Sequence, residues 1–255
     1  MADVIVCGSD NEICLEALKI ISSKAHIHCL LANKQIREGR LFEWCVSENI
    51  PIRDEITPSD YGHVRLLLTF TYKKKVAKEL IESADIAINF HPAPLPAYRG
   101  KGSTSLAILH GEKRWAATCH YLTEKFDQGG IIKERWFDIT DDLQNGYDLS
   151  RFSWRVSLQM LNEMLDGLLS GESPESHVPT GESHYYNMQY LEEQKEVLFE
   201  DSAKKINLKI DALWFPPFEG AYIEREGQHF YLINDRLMRE ISELYERVSL
   251  LDQKR

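Results

Sequence analysis

An amide and an imidazole stand at the end of an apolar segment, immediately before a proline-rich loop. The segment Asp85–Phe90 predicts a buried strand, and Asn89 and His91 lie two positions apart in "INFHPAPLPAYRG". Because side chains two apart on a strand share a face, both can address one spot. A neutral imidazole accepts a proton near physiological pH, and a carboxamide or an imidazolium can stabilise an oxyanion. The pair predicts such chemistry; in the alternative interpretation, His91 only bonds a carbonyl to close a turn.

The loop after His91 is stiff where it begins and adaptable where it ends. Pro92, Pro94 and Pro96 each fix φ, which limits how far the loop can relax. Gly100 and Gly102 then allow the backbone to come close to a ligand. The two features together predict a rigid lip beside a ligand site.

A carboxylate follows in a second glycine-rich turn. Asp127 lies in "FDQGG", between two segments that predict strands. It can orient the His91 ring or take a proton, although a structural capping aspartate would fill the same position. Asn, His and Asp without a nucleophilic serine or a reactive cysteine suit the transfer of an activated acyl group to an external amine.

Strand-like and helix-like segments alternate through the first third of the chain and would position these residues. The first segment, "DVIVCGSDNEICLEALKII", predicts a strand, a turn at Gly8 and a helix capped by one of residues 9–11. Repeated alternation predicts an α/β fold with a mostly parallel, Rossmann-like sheet. Ligands of such sheets collect outside the carboxyl ends of the strands, where Asn89 and His91 are expected.

Other elements follow. "WAATCHYLTE" and "GIIKERWFDI" predict two strands around the Asp127 turn, and a long helix comes next. Its apolar stripe predicts core packing and consists of Leu149, Phe152, Val156, Met160, Met164 and Leu168. A polar stretch with Gly, Ser and Pro predicts a linker over residues 171–189. Beyond it we expect a helix around residues 190–213, a hairpin over residues 221–233 and a charged terminal helix.

Composition limits the partners. The net charge of −10 disfavours a nucleic-acid partner, because the only compact basic run is Lys73–Lys75. No apolar run reaches the roughly 18 residues that span a bilayer, and "MADVIVCGSD" does not resemble a signal peptide. Five cysteines without CxxC spacing suggest reduced, buried thiols in a cytoplasmic protein, and no metal site. A lone Gly8 and no Walker sequence argue against NAD and ATP.

Two motifs together carry a family resemblance. "INFHPAPLPAYRG" followed by "FDQGGII" resembles the formyltransferase family, which uses 10-formyltetrahydrofolate, and the resemblance covers roughly residues 1–170. It implies that Asn89, His91 and Asp127 are catalytic. The chain departs from the frequent family pattern "HPSLLP" only at Ala93 and Pro94, which replace Ser and Leu.

The resemblance also implies binding residues around the catalytic set. For the folate cosubstrate they are Phe70, Tyr72, Phe90, Asp138 and Asp141. For the acceptor they are Lys73, Arg99, Trp214 and Phe218. Lys73 and Arg99 would meet a pyrophosphate, although Lys73–Lys75 also fits a solvated helix start. Trp214 and Phe218 would stack a nucleobase, or else pack the C-terminal appendage onto the main domain.

The acceptor amine is the open point of the resemblance. A glycinamide-ribonucleotide enzyme would typically end near 200 residues, and a methionyl-tRNA enzyme shares "DALWFPPFEGA" but usually carries a larger, basic C-terminal domain. Nucleotide-sugar N-formyltransferases fit best, with a dTDP- or UDP-linked amino-dideoxyhexose of bacterial surface polysaccharide synthesis as substrate.

This interpretation divides the chain into a catalytic domain over residues 1–170, a linker over 171–189 and a helix and hairpin subdomain over 190–255. The last part would support a homodimer. Two other classes remain as alternatives, a binding regulator on the same scaffold and a hydrolase that releases formate from the same folate.

Overall fold

The computed structural model describes the backbone of residues 3–57, 60–171 and 173–252, and side chains as far as Tyr245. The strands are β1 Asp3–Gly8, β2 His26–Ala32, β3 Ile52–Arg53, β4 Val64–Phe70, β5 Ala84–His91, β6 Arg99–Gly100, β7 Arg114–Tyr121, β8 Ile131–Asp138, β9 Tyr185–Tyr186, β10 Tyr222–Arg225 and β11 Gln228–Tyr231. The α-helices are α1 Glu12–Ser22, α2 Arg40–Ser47, α3 Lys78–Glu82, α4 Ser103–His110, α5 Gly146–Ser170, α6 Met188–Glu192, α7 Ala203–Leu213 and α8 Asp235–Asp252. A 3-10 turn covers Asp141–Leu143.

Seven strands form one sheet in the order β3-β2-β1-β4-β5-β7-β8. The five strands from β3 to β5 pair in parallel, while β7 is antiparallel to β5 and β8 is antiparallel to β7. The predicted α/β fold with a mostly parallel sheet is therefore confirmed. The two predicted strands around the Asp127 turn are β7 and β8.

Side chains of each strand alternate between the two faces of the sheet. Both faces are buried, which explains the apolar sequences of the strands. One face carries Ile86, Ile88 and Phe90 of β5 and packs against α1, α2 and α5. Five residues of the predicted α5 stripe belong to this core: Val156, Met160 and Leu168 are buried in it, and Phe152 and Met164 pack against it. Leu149, the sixth, is also buried but belongs to the second unit. The other face includes Ile5 and packs near α3. The side chains of Asn89 and His91 alternate with that of Phe90, so they point to the face of the sheet opposite to α5.

Contacts divide the chain into two compact units, and neither is a continuous stretch. The first contains residues 1–100, 114–138 and 151–185; the second contains residues 101–113, 139–150 and 186–255. These boundaries differ from the predicted division at residues 170 and 190. Most of the predicted linker lies within the first unit, because its backbone hydrogen-bonds to that unit's strands and loops.

The second unit contains α4, α6, α7, the β10–β11 hairpin and α8. The predicted helix over 190–213 is wrong as a single element, because residues 193–202 separate α6 from α7. Val197 donates its N–H to the Tyr222 carbonyl at 2.7 Å, which holds this stretch extended beside the hairpin. Ser202 then caps α7 through its hydroxyl. Arg236 of α8 pairs with Asp211 of α7 at 2.6 Å.

The helix predicted from the lysine run begins only at Lys78, so Lys73–Lys75 is not a helix start. All five cysteines are buried as free thiols, and burial raises the pKa of each one. None of them is therefore a reactive thiolate. Within the described ranges, no helix combines the length and hydrophobicity that crossing a bilayer requires.

Candidate active site

Asn89 sits between two strands that fix its amide. By register it lies beside Thr69 of β4 and opposite His120 of β7. The Thr69 hydroxyl donates to Asn89 Oδ1, and Asn89 Nδ2 donates to His120 Nε2 at 2.9 Å. Both ends of the amide are thus held, and no described residue accepts the second N–H of Nδ2.

His120 determines which way this amide points. It is almost fully buried, and its Nδ1 lies 2.8 Å from the Tyr121 carbonyl. A carbonyl can only accept, so Nδ1 carries the proton and Nε2 must accept from Asn89. Sequence reasoning missed both His120 and Thr69. The available signal was a histidine inside the apolar strand "WAATCHY".

His91 presents one nitrogen to the site and uses the other to hold the loop. It is buried, and its Nε2 donates to the Tyr98 carbonyl at 2.7 Å. The neutral ring is therefore protonated on Nε2 and bare on Nδ1, which lies 3.7 Å from Asp127 Oδ1. Nε2 closes the turn, as the alternative interpretation of His91 predicted, but Nδ1 takes no part in this. Nδ1 remains able to accept a proton.

Asp127 lies between the two imidazoles. Its Oδ1 is 3.7 Å from His91 Nδ1 and 3.6 Å from His120 Nε2, while Oδ2 accepts the Gly100 N–H at 2.8 Å. Burial alone would raise the pKa of Asp127, but positive charge on the neighbouring imidazoles, first at His91 and then at His120, and the Gly100 N–H hold it well below the usual range. The carboxylate thus stays ionised and can stabilise an imidazolium at His91.

The backbone at Asp127 adopts an unusual conformation. Its φ is +54°, in the left-handed region that Asp and Asn tolerate better than most residues. The chain then comes so close to β7 that a Cβ on Gly129 would lie 1.8 Å from the Tyr121 carbonyl oxygen. That carbonyl is also the partner of His120. The glycine therefore allows the turn to approach the strand that holds the site together.

We expect Gly129→Ala to lower the free energy of unfolding by about 1–3 kcal/mol, because backbone must move to admit the methyl group. The shift would also displace Asp127, so kcat should fall. Urea denaturation and steady-state kinetics measure the two effects. Gly167→Ala is the matched control, since a Cβ at this position of α5 would have no described atom within 4 Å apart from its own stretch of helix. That variant should gain about 0.5–1 kcal/mol; equal behaviour of both variants would contradict the close approach.

The proline-rich loop is held through its carbonyl groups. Trp115 Nε1 donates to the Pro92 carbonyl at 2.9 Å, and the Thr118 hydroxyl donates to the Ala93 carbonyl at 2.8 Å. The rings of Tyr98 and Trp115 pack edge to face at 4.6 Å. Proline thus restricts φ while side chains of β7 hold the carbonyls, which is the arrangement expected of a stiff loop.

The predicted folate-binding residues are not all brought to this cluster. Phe70 and Phe90 pack against each other in the core at 4.8 Å, so only their backbones face the sheet edge. Asp138 ends β8 seven residues from Ile131, or about 23 Å at 3.3 Å per residue, and so lies far from the cluster. Asp141 is exposed in the second unit. Tyr72 follows β4, and burial raises its pKa to about 12, so its phenol stays protonated.

The predicted acceptor-binding residues fall into both units. Lys73 is exposed in the first unit, and its backbone N–H donates to Asn33 Oδ1 at 2.9 Å beyond the ends of β2 and β4. Arg99 lies between Tyr98 and Gly100, and its guanidinium stands 6.0 Å from the Tyr185 ring centre. Its Nε is buried and has no hydrogen-bond partner among the described residues. Trp214 and Phe218 belong to the second unit, where Phe218 is exposed and its ring lies 6.2 Å from that of Phe215.

The cluster is not arranged for a metal ion. Among the described residues, no three His, Cys, Asp or Glu side chains are grouped as metal ligands. His120 has both nitrogens committed, to Tyr121 and Asn89. The arrangement instead combines a directed amide donor, a proton acceptor and an ionised carboxylate.

Comparisons with known proteins point in one direction. Residues 60–151 match a family model described as formyl transferase. A methionyl-tRNA formyltransferase from Levilactobacillus brevis is 29% identical over 204 residues, which cover 78% of this chain and 63% of the relative. A GDP-perosamine N-formyltransferase from Brucella melitensis is 25% identical over 174 residues, covering 66% and 63%. The chain thus spans less than two thirds of the length of these relatives.

A solved structure extends the likeness to the fold. The N-formyltransferase from Helicobacter canadensis, in complex with folinic acid and dTDP-3-aminofucose, superposes with a TM-score of 0.73 at 17% identity. The superposition covers 90% of this chain and 86% of that one. At this level of identity the match concerns the fold, and the chemistry must be argued from the cluster.

Proposed function

We propose that this chain, which carries a formyl transferase domain over residues 60–151, transfers a formyl group from 10-formyltetrahydrofolate to the amine of a nucleotide-linked amino-dideoxy sugar. The observation that carries the proposal is the cluster of Asn89, His91 and Asp127 at the edge of the sheet. The ligands named for the Helicobacter canadensis enzyme, a folate and an amino sugar nucleotide, support it.

Each member of the cluster has a distinct role in the proposed reaction. The free amine attacks the formyl carbon, and negative charge develops on the formyl oxygen, where the second N–H of Asn89 Nδ2 stabilises it. His91 Nδ1 takes the proton from the nitrogen that has become cationic. Asp127 stabilises the resulting imidazolium. The oxyanion then reforms the carbonyl, the bond from the formyl carbon to N10 of the folate breaks with its electron pair on N10, and N10 takes the proton from the His91 imidazolium, which returns the ring to its neutral form.

His91 is assigned as the proton acceptor because its Nε2–H is already bonded to Tyr98. An oxyanion at the same place would need a donor, and the neutral ring offers only the bare Nδ1. The strongly ionised Asp127 is a poor base, since its pKa is held low by its neighbours. The sequence left open whether His91 or Asp127 takes the proton, and the tautomer of His91 is the reason for proposing His91.

Binding residues around the cluster complete the proposal. Lys73 and Arg99 meet the phosphates of the acceptor, with Arg99 the better partner because its planar fork suits a phosphate. Tyr72 and the backbones of Phe70 and Phe90 contact the folate. The family resemblance alone supports a folate role for Asp141 and a nucleobase role for Trp214 and Phe218, which all belong to the second unit. We further propose that the enzyme acts in the cytoplasm in bacterial surface polysaccharide synthesis, for example on dTDP-4-amino-4,6-dideoxyglucose.

A second candidate acceptor is charged methionyl-tRNA, which the likeness to the Levilactobacillus brevis enzyme favours. The net charge of −10 disfavours it, because a nucleic-acid backbone is bound mainly through clustered Lys and Arg.

The test compares acceptors with one formyl donor. Purified protein is incubated with 10-formyltetrahydrofolate and either dTDP-, UDP- or GDP-linked amino sugars or charged methionyl-tRNA, and the formylated product is identified by mass spectrometry. We expect turnover only with an amino sugar nucleotide. The same sugar nucleotide with its amine acetylated is the control and should give none. Equal or faster turnover with methionyl-tRNA would overturn the sugar assignment but keep the reaction class.

The proposed homodimer rests on the second unit. A lone two-stranded hairpin is at best marginally stable in water, and this one exposes Phe230 on β11. Leu244 and Tyr245 of α8 are also more than half exposed, at 62% and 75%. Large apolar side chains left exposed on one unit are typical of an association surface. We propose that a second copy of the chain covers them.

We expect wild-type protein to have the mass of a dimer in light scattering at micromolar concentration. Phe230→Glu should shift that mass toward the monomer, because association would bury an unpaired charge. Gln228→Glu is the matched control, since it adds the same charge two residues away on the same face of β11. A monomeric wild type, or equal dissociation of both variants, would rule out this surface.

A further inference from the structure

Residues 173–185, here called the bracing segment, lie next to both halves of the active site. The segment has the polar composition of a linker, and most of its side chains are exposed. Its backbone is nevertheless paired at two places, and both places belong to the first unit together with the catalytic cluster.

The first pairing holds the end of the Asp127 turn. His177 and Ile131 exchange two backbone hydrogen bonds, at 2.8 and 2.9 Å. The Tyr121 hydroxyl donates to the Pro174 carbonyl at 2.8 Å. A Cβ on Gly130 would lie 2.7 Å from Ser176 Oγ, so the segment packs directly on the glycine turn. Strand β8 is thereby supported on its outer side at the residue that pairs with His120.

The second pairing holds the loop that carries the partner of His91. Arg99 donates its N–H to the His184 carbonyl at 3.0 Å, and His184 donates to the Pro96 carbonyl at 3.3 Å. Between them lies Tyr98, whose carbonyl accepts the proton of His91 Nε2. The next residue, Gly100, donates its N–H to Asp127.

We infer that the bracing segment is a positioning element: it ties the Asp127 turn to the Tyr98 loop and so sets the separation of His91 Nδ1 and Asp127 Oδ1. The two catalytic side chains are far apart in sequence. His91 is the last residue of β5, before the proline-rich loop, and Asp127 lies in the turn between β7 and β8. Loops adjust more readily than strands, and a misplacement of about 1 Å can cost about 100-fold in rate. A backbone tie at both loops would oppose such a shift.

The experiment removes one backbone hydrogen bond of the bracing segment without changing a residue of the catalytic cluster. His177→Pro removes the N–H that bonds to the Ile131 carbonyl, whereas His177→Ala keeps this N–H and removes only an exposed imidazole. His177 does not belong to the catalytic cluster. We expect His177→Pro to lower kcat about tenfold or more, with KM for the formyl donor changed by less than about threefold. His177→Ala should match the wild type.

Hydrogen exchange gives a readout that loss of global stability would not produce. The Gly100 amide reports the bond to Asp127, so it should exchange faster in His177→Pro than in His177→Ala, while amides of β1 and β4 keep wild-type rates. This arm needs no acceptor or formyl donor. It therefore separates failure of the present inference from failure of the proposed function.

A second variant covers the case in which His177→Pro does not fold. Tyr121→Phe keeps the backbone and the ring but removes the hydroxyl that donates to Pro174, and it should raise Gly100 exchange and lower kcat in the same direction. Equal kcat in His177→Pro and His177→Ala would overturn the inference. So would unchanged Gly100 exchange in the folded variants.

Discussion

Exchanging Asp127 for asparagine should lower kcat by about 10²- to 10⁴-fold, the range that a positioned proton-transfer group typically contributes. Asparagine tolerates the positive φ of this position and its carbonyl can still accept the Gly100 N–H, so the turn should survive. The charge, however, is lost. An imidazolium at His91 would then lack its counter-ion, and the new amide N–H could occupy the bare Nδ1.

The measurement is kcat at saturating formyl donor and acceptor, with acceptor binding followed separately. Binding should change little, because Asp127 acts on the proton and not on the nucleotide. Asp138→Asn is the matched control, since Asp138 is exposed at the far end of β8. If Asp138→Asn lost as much activity as Asp127→Asn, the assignment of the carboxylate would be wrong.

The double variant tests whether His91 and Asp127 act as one unit. His91→Asn alone removes the proton acceptor and should cost as much as Asp127→Asn. Groups that act together are strongly non-additive, so the double variant should be hardly slower than the slower single variant. Multiplicative losses would show independent roles. A single variant with nearly wild-type kcat would refute the shared proton transfer.

Asn89→Asp is expected to lower kcat by about 10²- to 10³-fold, which corresponds to about 2.7–4 kcal/mol for one lost oxyanion donor. The change is nearly isosteric, so the side chain still fits between Thr69 and His120. It replaces the donating Nδ2 by an oxygen that repels the developing negative charge. The loss should fall on kcat, because this interaction strengthens only as the oxyanion forms.

Thr69→Val provides the matched control for the amide. It removes the hydroxyl that donates to Asn89 Oδ1 but leaves the Nδ2 bond to His120 in place. The donor would still point at the formyl oxygen, so the loss should be clearly smaller than in Asn89→Asp. Equal losses would mean that the hydroxyl, and not the amide N–H, carries the effect.

The sequence by itself determined the type of sheet and one pair of candidate catalytic side chains. Alternating apolar strands and helices led to a mostly parallel sheet, because each such strand must be covered on both faces. The spacing of Asn89 and His91 placed both on one face, since strand side chains alternate with period two. The same period places Phe90 on the opposite face, in the core, although the resemblance had implied that it binds the folate.

Only the tertiary structure decided what surrounds that pair. Thr69 and His120 meet Asn89 because β4 and β7 flank β5, and strand order is not written in any local pattern. The tautomer of His91 depends on the Tyr98 carbonyl, which the folded loop brings to it. Asp138, which the resemblance implied as a folate-binding residue, lies away from the cluster because it is at the far end of the eight-residue strand β8. The stretch that composition marked as a linker pairs with Ile131 and Arg99, since backbone groups can bond across long separations whatever side chains they carry.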